Sequence, residues 1–166
     1  MRLTRYRIIN SPVGLLTLAG QSTCLTNLVM EKTAHPPSER HQWVKDAAAF
    51  ADVVAQLEAY FAAQRTAFDV ALCPGGTSFQ RKVWKALSEI PYGETSSYGD
   101  IARRIGQPGA ARAVGLANGH NPIAIIVPCH RVVGANGALT GYAGGLDAKR
   151  TLLDLELGHR REAQRK

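Results

Sequence analysis

The sequence IAIIVPCHRVV, residues 123–133, joins an apolar run to a cysteine and a histidine. The run from Ile123 to Val127 is short and rich in β-branched residues, which predicts a buried strand. Pro128 has no N–H to continue strand pairing, so we expect the chain to turn there. Because an adjacent imidazole commonly activates a thiol, Cys129 and His130 predict a nucleophilic cysteine with a lowered pKa. The alternative is that Cys129 is one more buried, small apolar residue.

The chain before this stretch predicts a small sheet covered by one helix, with no residue that suggests chemistry. Alternating apolar residues around the turn Ser11–Gly14 indicate a hairpin. The predicted elements are a hairpin (residues 4–9 and 14–20), a third strand (24–30), a loop (31–45), a helix capped by Asp46 with an apolar stripe (Phe50, Val53, Val54, Leu57, Tyr60, Phe61) and a further strand (68–72).

Cys73-Pro74-Gly75-Gly76 is the clearest domain boundary in the sequence. It predicts a domain of residues 1–76, a second domain of residues 77–158 and a basic tail of residues 159–166. In the second domain, Thr77-x-x-Gln80 and Ser97-x-x-Asp100 are capping boxes that start two helices.

A turn at Gln107-Pro108-Gly109 separates the second of these helices from another at residues 110–119. This spacing is typical of a helix-turn-helix, although many helix pairs bind nothing. The later helix has almost no bulky side chains, so its backbone could approach closely to a DNA minor groove, which is about 6 Å wide. Close packing inside the protein would also favour small residues, but the long side chain of Arg112 favours the DNA interpretation. The small residues include Ala111, Ala113, Gly115 and Gly119.

A glycine-rich loop, residues 134–145, follows Val133 and precedes a last helix, which we predict to be capped by Asp147 and ended by Gly158. Glu156 on this helix is either a solvated acid or the third member of a Cys–His–acid set. Spacing alone leaves both interpretations open.

The composition is that of an ordinary globular protein, with 45% hydrophobic and 20% charged residues. Residues 1–76 hold 7 Lys/Arg and 6 Asp/Glu, whereas residues 77–166 hold 13 and 7, which indicates a polyanionic partner for the second domain. No apolar run is long enough for a membrane span or a signal region, so we expect a soluble, cytoplasmic protein. The three cysteines have no C-x-x-C spacing and predict neither a disulfide framework nor a zinc site, and Cys24 and Cys73 are interpreted as structural.

Several motifs, in order between Thr77 and Glu156, together resemble the O6-alkylguanine-DNA alkyltransferases. The segment Ser11–Leu18 is also similar to that family's first hairpin. The resemblance implies an α/β (α+β) fold, with an RNase H-like N-terminal sheet that has no chemistry of its own and a mainly helical C-terminal domain. The motifs are Arg112-Ala113-Val114-Gly115, Asn121-Pro122, Ile126–Val133 and Tyr142–Leu146.

The resemblance implies five catalytic residues. Cys129 would accept the alkyl group, His130 would take the thiol proton through a water, and Glu156 would hold the imidazole in the right tautomer. Asn121 would brace the turn around the site. Tyr98 would donate a hydrogen bond or a proton to N3 of the departing guanine.

Backbone groups of Cys129, Val132 and Ala143 would read the purine edge, with Tyr142 as a wall of the pocket. Ala143 stands where some relatives have serine, which matters little if the contact is made by the backbone N–H. Asn118 stands where some relatives have a bulkier apolar residue, which leaves the preferred size of the alkyl group open. The resemblance also implies that Arg112 enters the base stack where the flipped nucleotide was.

Three functions follow as hypotheses. The first is direct DNA repair, in which one molecule transfers one alkyl group from O6-alkylguanine, or O4-alkylthymine, in double-stranded DNA to Cys129. That hypothesis implies no cofactor, no metal, no membrane partner and a monomer that binds the minor groove. The second is a non-catalytic DNA-binding module with a structural Cys129. The third is a cysteine hydrolase with a Cys–His–Glu set.

Overall fold

Four strands form the sheet of the N-terminal lobe in a computed structural model that describes residues 3–165, with side chains described as far as Gly158. The predicted hairpin of β1 (Arg5–Ile9) and β2 (Leu16–Gln21) is confirmed, and so is the third strand, β3 (Cys24–Met30), with its predicted bounds. A short strand, β4 (Val44–Lys45), pairs in parallel with β1 inside the stretch predicted to be loop, and the strand order is β3-β2-β1-β4. The predicted tail lies outside the residues whose side chains are described.

Helix α1 (Ala51–Phe61) covers this sheet through the predicted apolar stripe, of which Leu57 and Tyr60 are fully buried. The prediction that Asp46 caps this helix is wrong. Phe50 directly precedes the helix with φ of 58°, in the left-handed region. The Asp46 carboxylate instead accepts the Ala48 N–H at 3.0 Å, a local side-chain turn that competes with helix initiation.

The predicted strand at residues 68–72 is reduced to a single parallel bridge between Leu72 and Leu25. This bridge places Cys73 beside Cys24, with 5.7 Å between their Cα atoms, and the two residues form a disulfide. The expectation of no disulfide is therefore wrong. A separation of 49 residues carries no sign of proximity, which arises only from the bridge.

Helices α2 (Ser78–Ser88) and α3 (Tyr98–Arg104) begin where the two capping boxes predict, and both boxes are formed reciprocally. Helix α4 (Ala111–Gly119) packs against both, which confirms the predicted helix-turn-helix arrangement. The Trp84 indole N–H of α2 donates to the Ala117 carbonyl of α4 at 2.8 Å and fixes the two helices together.

The predicted strand at residues 123–127 is wrong. This run forms consecutive turns, with Ile125 at φ of 71°, and a single bridge joins Ile123 to Leu28 of β3. Ile123 and Ile125 are nevertheless buried almost completely. Their apolar character therefore serves packing between the two lobes, a difference that periodicity in a short run does not reveal.

Cys129–Arg131 form a short 3-10 helix, and the chain then enters β6 (Val132–Val133), which pairs in parallel with β5 (Ser96–Ser97). Helix α5 (Leu146–Arg165) begins one residue before Asp147, which lies in its first turn instead of capping it. The predicted end at Gly158 is also wrong, because a glycine inside a helix weakens it without stopping it. Within the described residues, no helix is both long and apolar enough to cross a membrane.

Candidate active site

Cys129 is 5% exposed and lies at the edge of a cavity of about 740 Å³ between the two lobes. The cavity is also lined by Asn118 and Tyr142 of the C-terminal lobe and by Met30 and His35 of the N-terminal lobe. Burial raises the pKa of the Cys129 thiol, although a hydrogen bond with Asn121 and the charge of Lys149 oppose that effect. The expected low pKa is therefore wrong, because removing the thiolate from water outweighs its favourable neighbours.

His130 is fully buried, and its Nε2 lies 2.7 Å from Oε2 of Glu156. Burial lowers the pKa of His130, partly offset by Glu156, so the resting imidazole is neutral. The neutral ring donates its Nε2–H to the carboxylate, which leaves a lone pair on Nδ1. Among the described residues, Nδ1 has no hydrogen-bond partner. The arrangement thus presents a base inside the site.

The Glu156 carboxylate is held from several sides. Arg131 donates from Nε to Oε1 at 2.8 Å and from Nη2 to Oε2 at 3.2 Å, and the backbone N–H of Gly93 donates to Oε1 at 3.3 Å. Burial alone would raise the pKa of Glu156, but the bonds and charges of His130 and Arg131 lower it to about 2. Sequence reasoning missed the role of Arg131, although its position beside Cys129 and His130 was a usable signal.

Asn121 braces the turn that leads to the cysteine. Its Nδ2 donates to the Val127 carbonyl at 2.8 Å, and its Oδ1 accepts the Ile123 N–H at 3.0 Å. These bonds satisfy backbone groups that the predicted strand would have paired with a neighbour. The Asn121 side chain thus replaces the hydrogen bonds that a paired strand would make, and it fixes the course of the backbone that leads to Cys129.

A second pocket of about 420 Å³, which shares lining residues with the cavity, is lined by Tyr98, Asn118, Tyr142 and Ala143. The Tyr98 hydroxyl lies 2.6 Å from Oγ1 of Thr140 in the glycine-rich loop. Oδ1 of Asn118 is buried, and among the described residues it has no hydrogen-bond partner. The buried Tyr142 hydroxyl interacts with the Cys129 thiol and helps to lower the pKa of that thiol against the effect of burial. The Ala143 carbonyl accepts the N–H of Ala34 from the N-terminal lobe at 2.8 Å. Unpaired polar atoms in a cavity are suited to a polar ligand, because burying them without partners costs free energy.

Lys149 of α5 is a second residue that sequence reasoning missed. It is fully buried, and its Nζ donates to the carbonyl of Val132 at 2.6 Å and to that of Thr140 at 3.1 Å. The ammonium therefore ties the loop of residues 134–145 to the strand after the cysteine. A signal was available in the sequence, because Lys149, Leu152 and Glu156 are spaced i, i+3 and i+7. This spacing places the three residues on one face of the helix, and that face is buried.

Helix α4 presents Arg112, Ala113 and Leu116 to solvent. Its glycines are not required by packing within the protein, because a Cβ at Gly119 would meet nothing within 4 Å and one at Gly115 would lie 3.7 Å from the Tyr98 ring, an ordinary contact. This observation removes the packing explanation for these glycines. Ala111 lies at the start of the helix, half-buried.

Across the part of the chain that the structure describes, no cluster of three or more His, Cys, Asp or Glu side chains is placed to hold a metal ion.

Known proteins share both the sequence and this architecture. The family models described as 6-O-methylguanine DNA methyltransferase, ribonuclease-like domain and DNA binding domain match residues 4–74 and 78–158. The methylated-DNA--protein-cysteine methyltransferase of Mycolicibacterium paratuberculosis is 62% identical over 157 residues, which cover 95% of this chain and 94% of that protein. That of Methanosarcina acetivorans is 56% identical over 151 residues, which cover 91% and 97%.

Among solved structures, Mycobacterium tuberculosis OGT in complex with DNA superposes with a TM-score of 0.89 at 61% identity, covering 93% of this chain and 94% of that chain. Both halves of the chain, and their order, therefore have counterparts in proteins of one family. The α/β fold with an N-terminal sheet and a helical C-terminal lobe is the fold that the sequence predicted. The chain belongs to the 6-O-methylguanine DNA methyltransferase family.

Proposed function

We propose that this chain repairs alkylated DNA directly, by moving the alkyl group from O6 of guanine to Sγ of Cys129. The C–O bond to guanine breaks and its electron pair leaves with the base, to which Tyr98 donates a hydrogen bond or a proton at N3. A C–S bond forms, and the thiol proton passes through a water to Nδ1 of His130. The thioether has no tendency to leave, so each molecule acts once. O4-alkylthymine offers the same alkyl–oxygen bond and is included in the proposal.

The observation that carries this proposal is the pairing of His130 with Glu156 next to a thiol on the cavity wall. Nδ1 of His130 is the unpaired base, and Glu156 holds the opposite nitrogen at 2.7 Å. A general base is needed because burial raises the pKa of Cys129 and keeps the resting thiol protonated. The proton that His130 accepts is stabilised by the ionised Glu156.

The flipped base would occupy the space where the cavity between the lobes adjoins the pocket beside Tyr98. The O6 atom of guanine lies inside duplex DNA, so the nucleotide must be extruded at a cost of a few kcal/mol. Tyr98 would hydrogen-bond N3 of the base, Tyr142 and Asn118 would line its faces, and backbone groups of Val132 and Ala143 would contact its edge. The unpaired Oδ1 of Asn118 supports a polar occupant.

We further propose that α4 enters the minor groove, with Arg112 filling the gap that the extruded base leaves. The exposed position of Arg112 and the lack of an internal packing need for Gly119 support this placement. The proposal includes domains of residues 1–76 and 77–158 and a cytoplasmic location. It also includes action as a monomer, since one chain carries the whole candidate site.

The two alternative functions require different structural features. A non-catalytic DNA-binding module needs α3 and α4 but has no use for a buried Cys129 beside a hydrogen-bonded His130–Glu156 pair. A cysteine hydrolase needs the same pair but no exposed, small-residue helix. The site and the helix lie on one C-terminal lobe, which favours alkyl transfer within bound DNA.

Intact mass spectrometry after incubation with duplex DNA containing O6-methylguanine tests the proposal. The expected product is protein that carries one added methyl group, located on Cys129 by peptide mapping, with no further methyl release as time passes. Cys129→Ser is the control that should bind the DNA and gain no mass. Continuous turnover would support the hydrolase, and DNA binding without a mass change would support the non-catalytic module.

A further inference from the structure

Tyr60 belongs to α1 of the N-terminal lobe, a lobe whose sequence suggests a scaffold without chemistry. Its side chain is fully buried, and its hydroxyl lies 2.6 Å from Oε2 of Glu156. The same oxygen lies 2.7 Å from Nε2 of His130. Residues of both lobes therefore bond to the same carboxylate oxygen.

The hydrogen of this contact belongs to Tyr60. Hydrogen bonds and charges from His130 and Arg131 hold the pKa of Glu156 at about 2 against the effect of burial, so the carboxylate is ionised and accepts. Burial and the neighbouring Glu156 raise the pKa of Tyr60 far above its usual value, so the phenol keeps its proton and donates. A hydrogen bond of a neutral donor to a buried carboxylate is among the stronger ones in proteins.

Among the described residues, the other groups found against the carboxylate come from the C-terminal lobe. His130 and Arg131 follow the cysteine, Gly93 precedes α3, and Tyr92 lies under the Arg131 guanidinium, with 5.7 Å between Cζ and the ring centroid. Lys149 is the remaining buried charge of this region and bonds backbone carbonyls. Tyr60 is thus the contact through which the N-terminal lobe sets the carboxylate's orientation.

We propose that Tyr60 is a positioning residue for alkyl transfer, whose hydroxyl holds Glu156 so that the His130 ring keeps Nε2–H toward the carboxylate and Nδ1 free as the base. The inference rests on the proposed function of this site. It also assigns the N-terminal lobe a part in the chemistry, because α1 supplies a donor to the oxygen that also accepts from His130 and Arg131 of the C-terminal lobe.

The Tyr60 hydroxyl affects the pKa of His130 as well as the orientation of the Glu156 carboxylate. A donor on Oε2 draws negative charge from the oxygen that stabilises the imidazolium. Removing that donor leaves the carboxylate a stronger partner for protonated His130, so the pKa of His130 rises. At the same time the carboxylate loses one of the bonds that fix its direction, and transfer slows.

Packing of the ring is a separate matter from the hydroxyl. The Tyr60 ring contacts the rings of Phe61, Phe68 and Tyr92, with centroids 5.2, 5.4 and 6.2 Å apart. Phenylalanine at position 60 preserves all three contacts and removes only the donor. Tyr60→Phe is therefore the informative variant, and Leu57→Val, one turn earlier on the same buried face of α1, is a control that weakens packing without touching the carboxylate.

Two measurements test the inference. Single-turnover transfer from methylated duplex DNA by Tyr60→Phe should be slowed about tenfold at neutral pH, the equivalent of about 1.4 kcal/mol, and its acid-side midpoint should move to higher pH. Nitrogen NMR of the His130 ring in the protein without DNA should report the same upward pKa shift. Leu57→Val should lower the melting temperature and leave both the midpoint and the ring signals unchanged.

Parental rate and parental His130 signals in Tyr60→Phe would overturn the proposal. So would a slower rate with an unshifted midpoint in both variants, which would make Tyr60 a packing residue. The NMR measurement needs no alkyl transfer, so it stays decisive even if the parent protein fails to react, a result that would instead overturn the proposed function.

Discussion

His130 and Glu156 form a buried pair, with Nε2 of the imidazole 2.7 Å from Oε2 of the carboxylate and both side chains almost completely removed from solvent. The pair joins the short helix after Pro128 to α5, across 26 residues of sequence. Because the imidazole is neutral and Arg131 balances the carboxylate, the cluster of His130, Glu156 and Arg131 buries no net charge at rest. The proton accepted during transfer would be the one added charge.

Glu156→Gln tests how strongly this carboxylate supports the fold. The neutral amide leaves the buried Arg131 cation without its partner, so we expect a loss of about 3–5 kcal/mol in the free energy of unfolding at neutral pH. The pKa of Glu156 is lowered from 4.5 to about 2, so its contribution is present above pH 4.5 and is lost as the pH falls through the folded-state pKa. Urea unfolding at several pH values measures the difference in the free energy of unfolding between the variant and the parent. Asp154→Asn, at an exposed position on the same helix, is the control. A constant difference down to the lowest pH would contradict the assignment.

The pH dependence of transfer follows from the shifts at Cys129 and His130. Burial lowers the pKa of His130 below 6.5, so the base stays neutral as the pH falls past that value. Burial raises the pKa of Cys129 above 9.0, so the thiol stays protonated well into the alkaline range. We expect a single-turnover rate that is level between these limits, measured with stopped reactions on methylated duplex DNA. A decline that already begins near pH 6.5 would show that the base has an ordinary pKa.

Arg112→Ala separates base extrusion from chemistry. The exposed guanidinium would fill the gap in the stack, so its loss should slow repair of duplex DNA by at least tenfold, since unstacking a base costs a few kcal/mol. Reaction with free O6-benzylguanine needs no extrusion and should be much less affected. Single-turnover rates on both substrates decide the matter, with Lys45→Ala in the N-terminal lobe as the charge-matched control. Equal slowing on both substrates would make Arg112 a residue of the pocket.

Gly119→Ala tests the close approach of α4 to DNA. The protein has open space at this position, so the fold should tolerate the methyl group with an unchanged or slightly higher melting temperature. If the helix surface lies against the DNA backbone, the affinity for duplex DNA should fall about tenfold, as measured by fluorescence anisotropy at fixed salt. Gly158→Ala, also in a helix with open space, is the matched control and should leave the affinity unchanged. Parental affinity in Gly119→Ala would place the DNA elsewhere.

The Cys24–Cys73 disulfide should act on stability and not on transfer. It closes a stretch of 49 residues, and the chain-entropy model gives about 4 kcal/mol for a loop of that size. We expect a double Cys24→Ser, Cys73→Ser variant to unfold at lower urea concentration and to transfer alkyl groups at the parental rate when folded. Disulfide-intact parent protein, with its thiol content measured, is the reference. Unchanged stability would mean that the single bridge between Leu72 and Leu25 of β3 holds this segment in place without the disulfide.

Local signals in the sequence determined several elements directly. The capping boxes at Thr77 and Ser97 start α2 and α3 as predicted, because a cap is completed within four residues of chain. Strand β3 has the predicted bounds for a similar reason, since alternation and flanking turns are local. The family motif around Cys129 and the small-residue composition of α4 could also be recognised from the sequence alone.

Only the tertiary structure decided what depends on distant partners. The run at residues 123–127 became a set of turns because Asn121 and β3 satisfy its backbone groups, and apolar character alone does not distinguish the two outcomes. Tyr60 and Glu156 are 96 residues apart, and no local pattern joins them. The high pKa of Cys129 has the same origin: the sequence places an imidazole beside the thiol, but the surrounding protein sets how much water the thiolate would lose.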